Sequence, residues 1–324
     1  MKKAIGIGFA LILALAAPVA PRAQTFAPPY APPPQGEGPT PAQGPAPDLA
    51  FAAYQRGFYM TAFKEAMKRV AANPRDASGM TLIGEIYRDG YAVRQDLAEA
   101  ARWYRLASGL GDREAAFALG ALLLNGAAGV DKDRAGAKAQ FERAAAQGQA
   151  GALYNLGVMA IAGEGADKPD FARAADYFRR AAEAGDDNGA YSYGVLLREG
   201  RGVPLDIEES AHWLKRAADA GIIAGQVEYA IMLFNGVGVE KNEAKAAKIF
   251  LIAAARNNPI AQNRLAHLYV SGRGVPRDLV EAATWNRFAK AGGIDDPELD
   301  AATAHLTPEQ NERVNQLVRR QAAF

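Results

Sequence analysis

The stretch GAYSYGVLLREGRGVPLDIEESAHWLKRAADAG, residues 189–221, decides the fold. It holds two helical segments with a stop between them. Gly194 sits inside the first segment, where glycine costs about 1 kcal/mol against alanine. Gly200 ends that segment, since glycine takes a left-handed backbone without penalty, and Pro204 stiffens the connection. Asp206 is a good N-cap for the second segment, and Glu209, three residues on, predicts a capping box. Trp213 and the small pair Ala217-Ala218 give that helix an apolar side, and Gly221 stops it.

The pattern recurs at a period of about 36 residues, inside the range that marks a solenoid. The interior small residue becomes Gly84, Gly120, Gly157, Gly194, Ala230 and Ala266. Another stands five positions earlier, at Gly79, Ala115, Ala152, Gly189, Gly225 and Ala261. Recurrence of a costly residue implies a gain elsewhere, and close approach of a partner helix supplies it. The first-helix stops are Gly90, Gly126, Gly163, Gly200, Gly236 and Gly272, with a second glycine at Gly165, Gly202, Gly238 and Gly274. The second-helix caps are Asp96, Asp133, Asp170, Asp206, Asn242 and Asp278, and Glu99, Glu209 and Glu281 predict capping boxes. Trp103, Tyr177, Trp213, Ile249 and Trp285 read as the core bulk of the second helix, with Phe141 displaced by one. Gly111, Gly148, Gly185, Gly221 and Gly293 stop it, with Asn257 as the one substitute. Agreement of cap, period and stop across six units predicts an all-α fold, a right-handed α-solenoid of helix pairs.

The organisation expected is a signal peptide over 1–23, a proline-rich linker over 24–47, N-terminal capping helices over 48–74, six repeats over 75–295 and C-terminal capping helices over 296–324. Lys2 and Lys3 precede an apolar stretch from Ala4 to Ala17, and Ala23-Gln24 offers a cleavage point. Export to the periplasm or beyond, with no membrane span left after cleavage, is the expectation. Loss of Lys2, Lys3 and Arg22 takes the net charge from +1 to −2, which leaves no electrostatic footprint for nucleic acid. Near the C-terminus Thr307-Pro308-Glu309-Gln310 predicts a capped helix start, with Val314, Leu317 and Val318 on one face.

Sites for chemistry are not legible. The chain has no cysteine, which excludes disulfides, thiolate nucleophiles and cysteine-ligated zinc. His212, His267 and His305 stand far apart, with no spacing that predicts a metal or acid–base site. The Gly-x-Gly turns follow helices and recur as punctuation, unlike phosphate loops, which follow a strand. No catalytic residue, metal or cofactor is predicted.

Ala-x-Tyr-Asn-Leu-Gly at 152–157, Gly-Arg-Gly-Val-Pro at 200–204 and 272–276, and Trp-Leu-Lys-Arg-Ala-Ala at 213–218 resemble Sel1-like repeats, relatives of the tetratricopeptide repeat. Gly57-Phe58-Tyr59-x-x-Ala62 is similar to half of a tetratricopeptide motif and predicts a cap over the first unit. The fifth unit departs most, with Ala230, Asn242 and Ile249, and looser packing is expected there. In tetratricopeptide arrays the first helix of each pair lines the concave face, and the resemblance implies the same here. That places Phe117, Ala121 and Leu124 on the inner face, then Tyr154, Val158 and Ile161, then Tyr191, Val195 and Arg198. Val227, Ile231 and Phe234 continue the row, with Glu85 and Arg88 at one end and Asn263, His267 and Val270 at the other. The resemblance implies a non-enzymatic scaffold or adaptor that binds a protein segment in this groove, and some exported members regulate envelope sensors. The rival expectations are a module bound to cell-wall peptidoglycan and, more remotely, a β-lactam-binding enzyme, although relatives linked to β-lactams are cysteine-rich.

Overall fold

The computed structural model describes residues 48–163 and 168–322. The leader and linker expected before residue 48, and Gly165, lie outside the described residues. The chain is one unit from Pro47 onwards, and among its described residues there are sixteen α-helices and no strand. A leading hairpin, α1 (Leu49–Gln55) and α2 (Tyr59–Ala72), precedes six pairs. These are α3 (Ala77–Asp89) with α4 (Leu97–Gly109), α5 (Arg113–Asn125) with α6 (Arg134–Ala145), and α7 (Ala150–Ile161) with α8 (Phe171–Glu183). Then come α9 (Asp187–Glu199) with α10 (Ile207–Asp219), α11 (Ile223–Asn235) with α12 (Glu243–Ala255), and α13 (Pro259–Ser271) with α14 (Leu279–Ala291). Two closing helices follow, α15 (Pro297–Thr303) and α16 (Pro308–Ala322). From α1 to α15 each helix packs on its chain neighbours, as an α-solenoid requires, and α16 folds back onto α14.

All six second-helix caps form as expected, from Asp96, which accepts from the N–H groups of Ala98 and Glu99, to Asp278, which accepts from Val280 and Glu281. The capping boxes do not close there. The N–H of each cap donates backwards to the first helix: Asp96 to the Tyr87 carbonyl at 3.0 Å, Asp206 to Leu197 at 3.1 Å, and Asp278 to Tyr269 at 3.0 Å. The cap N–H that Glu99, Glu209 or Glu281 was expected to satisfy is already spent on holding the hairpin shut. The box at the start of α16 does close, with Thr307 and Gln310 exchanging bonds of 2.9 and 3.3 Å. Asn257, with φ 61°, is the one non-glycine with a left-handed backbone among the described residues, as its place in the stop series predicted.

The interior small residues make close approaches. A Cβ on Gly84 would stand 2.6 Å from the Tyr104 ring, on Gly120 2.7 Å from Phe141, on Gly157 2.5 Å from Phe178, and on Gly194 2.9 Å from Leu214. These partners correct the expected register of the second helix. The side chains fully enclosed against the first helix are Tyr104, Phe141, Phe178, Leu214 and Phe250, one position after the bulky series named from sequence. Phe141 is therefore in register, while Trp103, Tyr177, Trp213 and Ile249 are only half-buried. In the sixth unit Trp285 itself is buried, as the series predicted. The small pairs meet the small residue of the next unit. A Cβ on Gly189 would sit 2.8 Å from that of Ala181, and one on Gly225 would sit 2.9 Å from that of Ala217. The fifth unit packs no more loosely than the others, since Ala230 and Phe250 are both buried in the largest apolar cluster.

The turn between the helices of one pair also clasps the preceding pair. Cβ atoms on Gly202, Gly238 and Gly274 would fall onto the first residues of α8, α10 and α12 respectively. The residue after the helix stop adds a second contact of varied chemistry. Arg201 lies 3.9 Å over the Phe171 ring, Arg273 pairs with Glu243 at 2.5 Å, and Tyr91 stacks on Tyr59 at 4.4 Å. The hydrogen bonds from Arg273 and Lys241 hold Glu243 down to about 2.

At the ends, Ala62 and Ala66 pack on Leu82, Ile83 and Ile86, so the leading hairpin covers the first unit. Val314 is buried against Val280 and Ala283, with Leu317 and Val318 beside it and Arg313, Arg319 and Arg320 exposed. The last helix is a polar-faced cap.

Candidate functional site

Among the described residues no group of three or more His, Asp or Glu side chains could hold a metal ion. Exposed His212 lies edge-on to Trp213, with ring centres 5.4 Å apart, and exposed His305 is remote from both other histidines in sequence. The candidate site is the row carried by the first helices.

Its centre is apolar. Phe117 leans on the start of α7, where a Cβ on Gly151 would stand 2.9 Å from its ring, and tilts against Phe141 at 6.0 Å. Tyr154 makes the equivalent contact with Phe178 at 5.6 Å. Ala121, Leu124, Val158, Ile161, Tyr191, Ile231 and Phe234 are half-buried, as are Phe117 and Tyr154. Leu124, Val158, Ile161, Tyr191, Ile231 and Phe234 each pack against a core cluster. Val195 and Val227 lie deeper, inside the core at 4% and 5% exposure. Helical angle placed them on this side of their helices, but they pack within the largest apolar cluster. Burial pushes the phenol groups of Tyr154 and Tyr191 above their ordinary range.

Arg198 pairs with Glu228 on the next first helix, a residue sequence reasoning did not single out. It stands next to Val227, on the same turn, and half-exposed. At the N-terminal end Arg88 bridges Glu85 and Asp89, the Tyr104 hydroxyl donates to Glu85 at 2.8 Å, and the Tyr54 hydroxyl donates to Asp89 at 3.1 Å. Burial pushes Glu85 above the ordinary carboxylate range, against the pull of Arg88 and the Tyr104 hydroxyl.

At the other end Asn263 and His267 both bond to Asp296, each at 2.8 Å. Asp296 also caps α15, accepting from Glu298 and Leu299. Burial disfavours its charged form, but the bonds from Asn263, His267 and Leu299 outweigh that and hold it down to about 2. A carboxyl lowered on folding stabilises above its ordinary value of 3.8 and loses that contribution as pH falls towards 2. Protection of the α15 amides, measured against their intrinsic exchange rates, should therefore fall between pH 4 and pH 2 in the wild type. Asp296→Asn should remove most of that acid dependence, and Asp296→Ala should cost the cap about 1 kcal/mol at neutral pH. An acid response of α15 that Asp296→Asn left unaltered would assign it to another group.

None of the curated proteins matches the chain by sequence. Among solved structures, a Sel1 repeat protein from Oxalobacter formigenes is 24% identical over 76% of this chain and 97% of its own, with a TM-score of 0.64. The protein c5321, a protective antigen present in uropathogenic Escherichia coli strains and displaying an SLR fold, is 23% identical. That match covers 84% of this chain and 67% of c5321, with a TM-score of 0.56. Both likenesses show the fold. The Sel1 repeat profile matches residues 77–112, 113–149, 150–186, 188–222, 223–258 and 259–293, one match for each helix pair described above. With six consecutive units matched over most of its length, the chain belongs to the Sel1 repeat family, whose fold generally mediates contacts between proteins.

Proposed function

We propose that this protein is an exported interaction scaffold that takes an extended segment of a partner protein along the inner row of its first helices, and that it serves an envelope complex or sensor in the periplasm. The observation that supports this reading is the half-buried state of Phe117, Tyr154, Tyr191 and Phe234. Each rests one side on the core, which fixes its rotamer. Phe117, Tyr154 and Tyr191 keep another side for a ligand. The Phe234 ring already lies under the Arg273 guanidinium at 4.1 Å and would meet a ligand together with it. Ordered aromatics of this kind lose little entropy on binding and dominate interface energetics. Val195 and Val227 support the row from beneath. Arg198 and Glu228, already paired, offer hydrogen bonds without presenting an uncompensated charge.

Tyr154→Ala, Tyr191→Ala and Phe234→Ala together should abolish partner capture in crosslinking pull-downs from an envelope extract, with the helical circular-dichroism signal retained. Each single change should weaken binding by about tenfold, as hot-spot truncations do. Capture of the same partner by the folded triple variant would remove the row from the account. Enrichment of wall polymer alone would favour a peptidoglycan-associated module.

A further inference from the structure

A second surface lies at the N-terminal end, separate from the inner row. The turn Arg56-Gly57-Phe58 joins α1 to α2, and the Phe58 N–H donating to the Ala53 carbonyl at 2.9 Å fixes it. Tyr59 opens α2 and stacks on Tyr91 from the turn after α3, with rings 4.4 Å apart and 24° from parallel. Tyr54 meets Tyr59 edge-on at 5.3 Å. The stack joins two turns into one surface, on which Phe58 is 61%, Met60 48% and Tyr91 58% exposed. In the fourth and sixth units the residue equivalent to Tyr91 is occupied internally, Arg201 over Phe171 and Arg273 with Glu243. Val237 of the fifth is exposed but stands without a neighbouring aromatic stack among the described residues.

Three cations stand close to these apolar groups along the chain, Arg56 two residues before Phe58, Lys64 one helical turn after Met60 and Arg94 three residues after Tyr91. Arg56, Lys64 and Arg94 are exposed, and none forms an ion pair among the described residues. The neighbouring carboxylates have partners: Asp89 holds Tyr54 and Arg88, Asp96 caps α4, and Glu65 faces Lys68. Exposed Phe, Met and Tyr with three unpaired Arg and Lys, against one exposed neighbouring acid outside an ion pair, Asp96, match the chemistry of a bilayer interface with anionic headgroups. No helix among the described residues is long and apolar enough to cross a membrane, so such contact is peripheral.

We propose that this patch docks the protein on an anionic lipid surface, with Phe58, Met60 and Tyr91 entering the interfacial layer and Arg56, Lys64 and Arg94 on the headgroups. The absence of cysteine makes a site-specific test direct. In the full chain Met60→Cys, and separately Lys248→Cys on the exposed face of α12, would carry an environment-sensitive fluorophore. The probes are vesicles of phosphatidylcholine alone and vesicles with 30% phosphatidylglycerol, at low and high salt. The expected result is a blue shift at position 60 and not at 248, on the anionic vesicles only. Arg56→Glu with Arg94→Glu should reduce partitioning about tenfold or more. No shift at position 60, an equal shift at both positions, or equal response to the two vesicle types would overturn the proposal. A shift at position 60 that grows with protein concentration without vesicles would also overturn it, in favour of a second copy of the chain.

Discussion

Gly202→Ala is expected to destabilise the array by about 2–5 kcal/mol and to split its thermal unfolding into two transitions. Two costs add. At φ 77° any residue with a Cβ is strained by about 1–2 kcal/mol. The new methyl would also fall onto the Phe171 backbone at the start of α8, a contact that no rotamer change relieves. Overpacking of that kind costs a further 1–3 kcal/mol or so. The damage is local to the junction between the third and fourth units, and in a linear array a weak junction uncouples the segments on either side. Gly148→Ala separates the two causes. Gly148 has φ 74° and open space where a Cβ would go, so it should lose only the strain, about 1 kcal/mol, and melt as one transition. Equal melting temperatures for the two variants would mean that the turn does not clasp the preceding unit.

The second large effect concerns the helix–helix contact inside a pair. Gly157→Leu should cost about 1–3 kcal/mol, because its Cβ already meets the Phe178 ring at 2.5 Å before the rest of the side chain is counted. Gly157→Ala should cost far less, since the fifth and sixth units place Ala230 and Ala266 where the other four have glycine, and the fifth still buries Phe250. Combining Gly157→Leu with Phe178→Ala should recover part of the loss, because the removed ring frees the volume the leucine needs. Denaturant midpoints for the three variants check this. A leucine variant as stable as wild type would place the close approach elsewhere.

Caps, stops and period were legible because each depends on a few adjacent residues. An aspartate accepts from N–H groups two or three places on, and a glycine stop needs only its own backbone. The core register of the second helix was legible to within one residue. Tryptophan drew the reading to 103 and 213, whereas the enclosed side there is set by companions such as Ala100, Ala101 and Ala107, which point with Tyr104. At 285 the tryptophan is itself buried in the core. The capping boxes failed for a tertiary reason, since a hairpin partner took the N–H that glutamate was to receive. The clasp between units was invisible because Tyr91 with Tyr59, Arg201 with Phe171 and Arg273 with Glu243 share a place but no chemistry. Depth was also hidden in the inner row. Val195 and Val227 sit on the expected side of their helices, and only the packing of neighbouring units separates them from Tyr191 and Ile231.

Photo-crosslinking tests the scaffold reading most directly. A benzophenone amino acid would replace Tyr191 on the inner row and, as control, Ile252, which is 51% exposed on the second helix of the fifth unit. Irradiation in the envelope is expected to join one discrete partner protein to position 191 and to leave position 252 free. Crosslinks of equal yield at both positions, or at 252 alone, would contradict the scaffold reading.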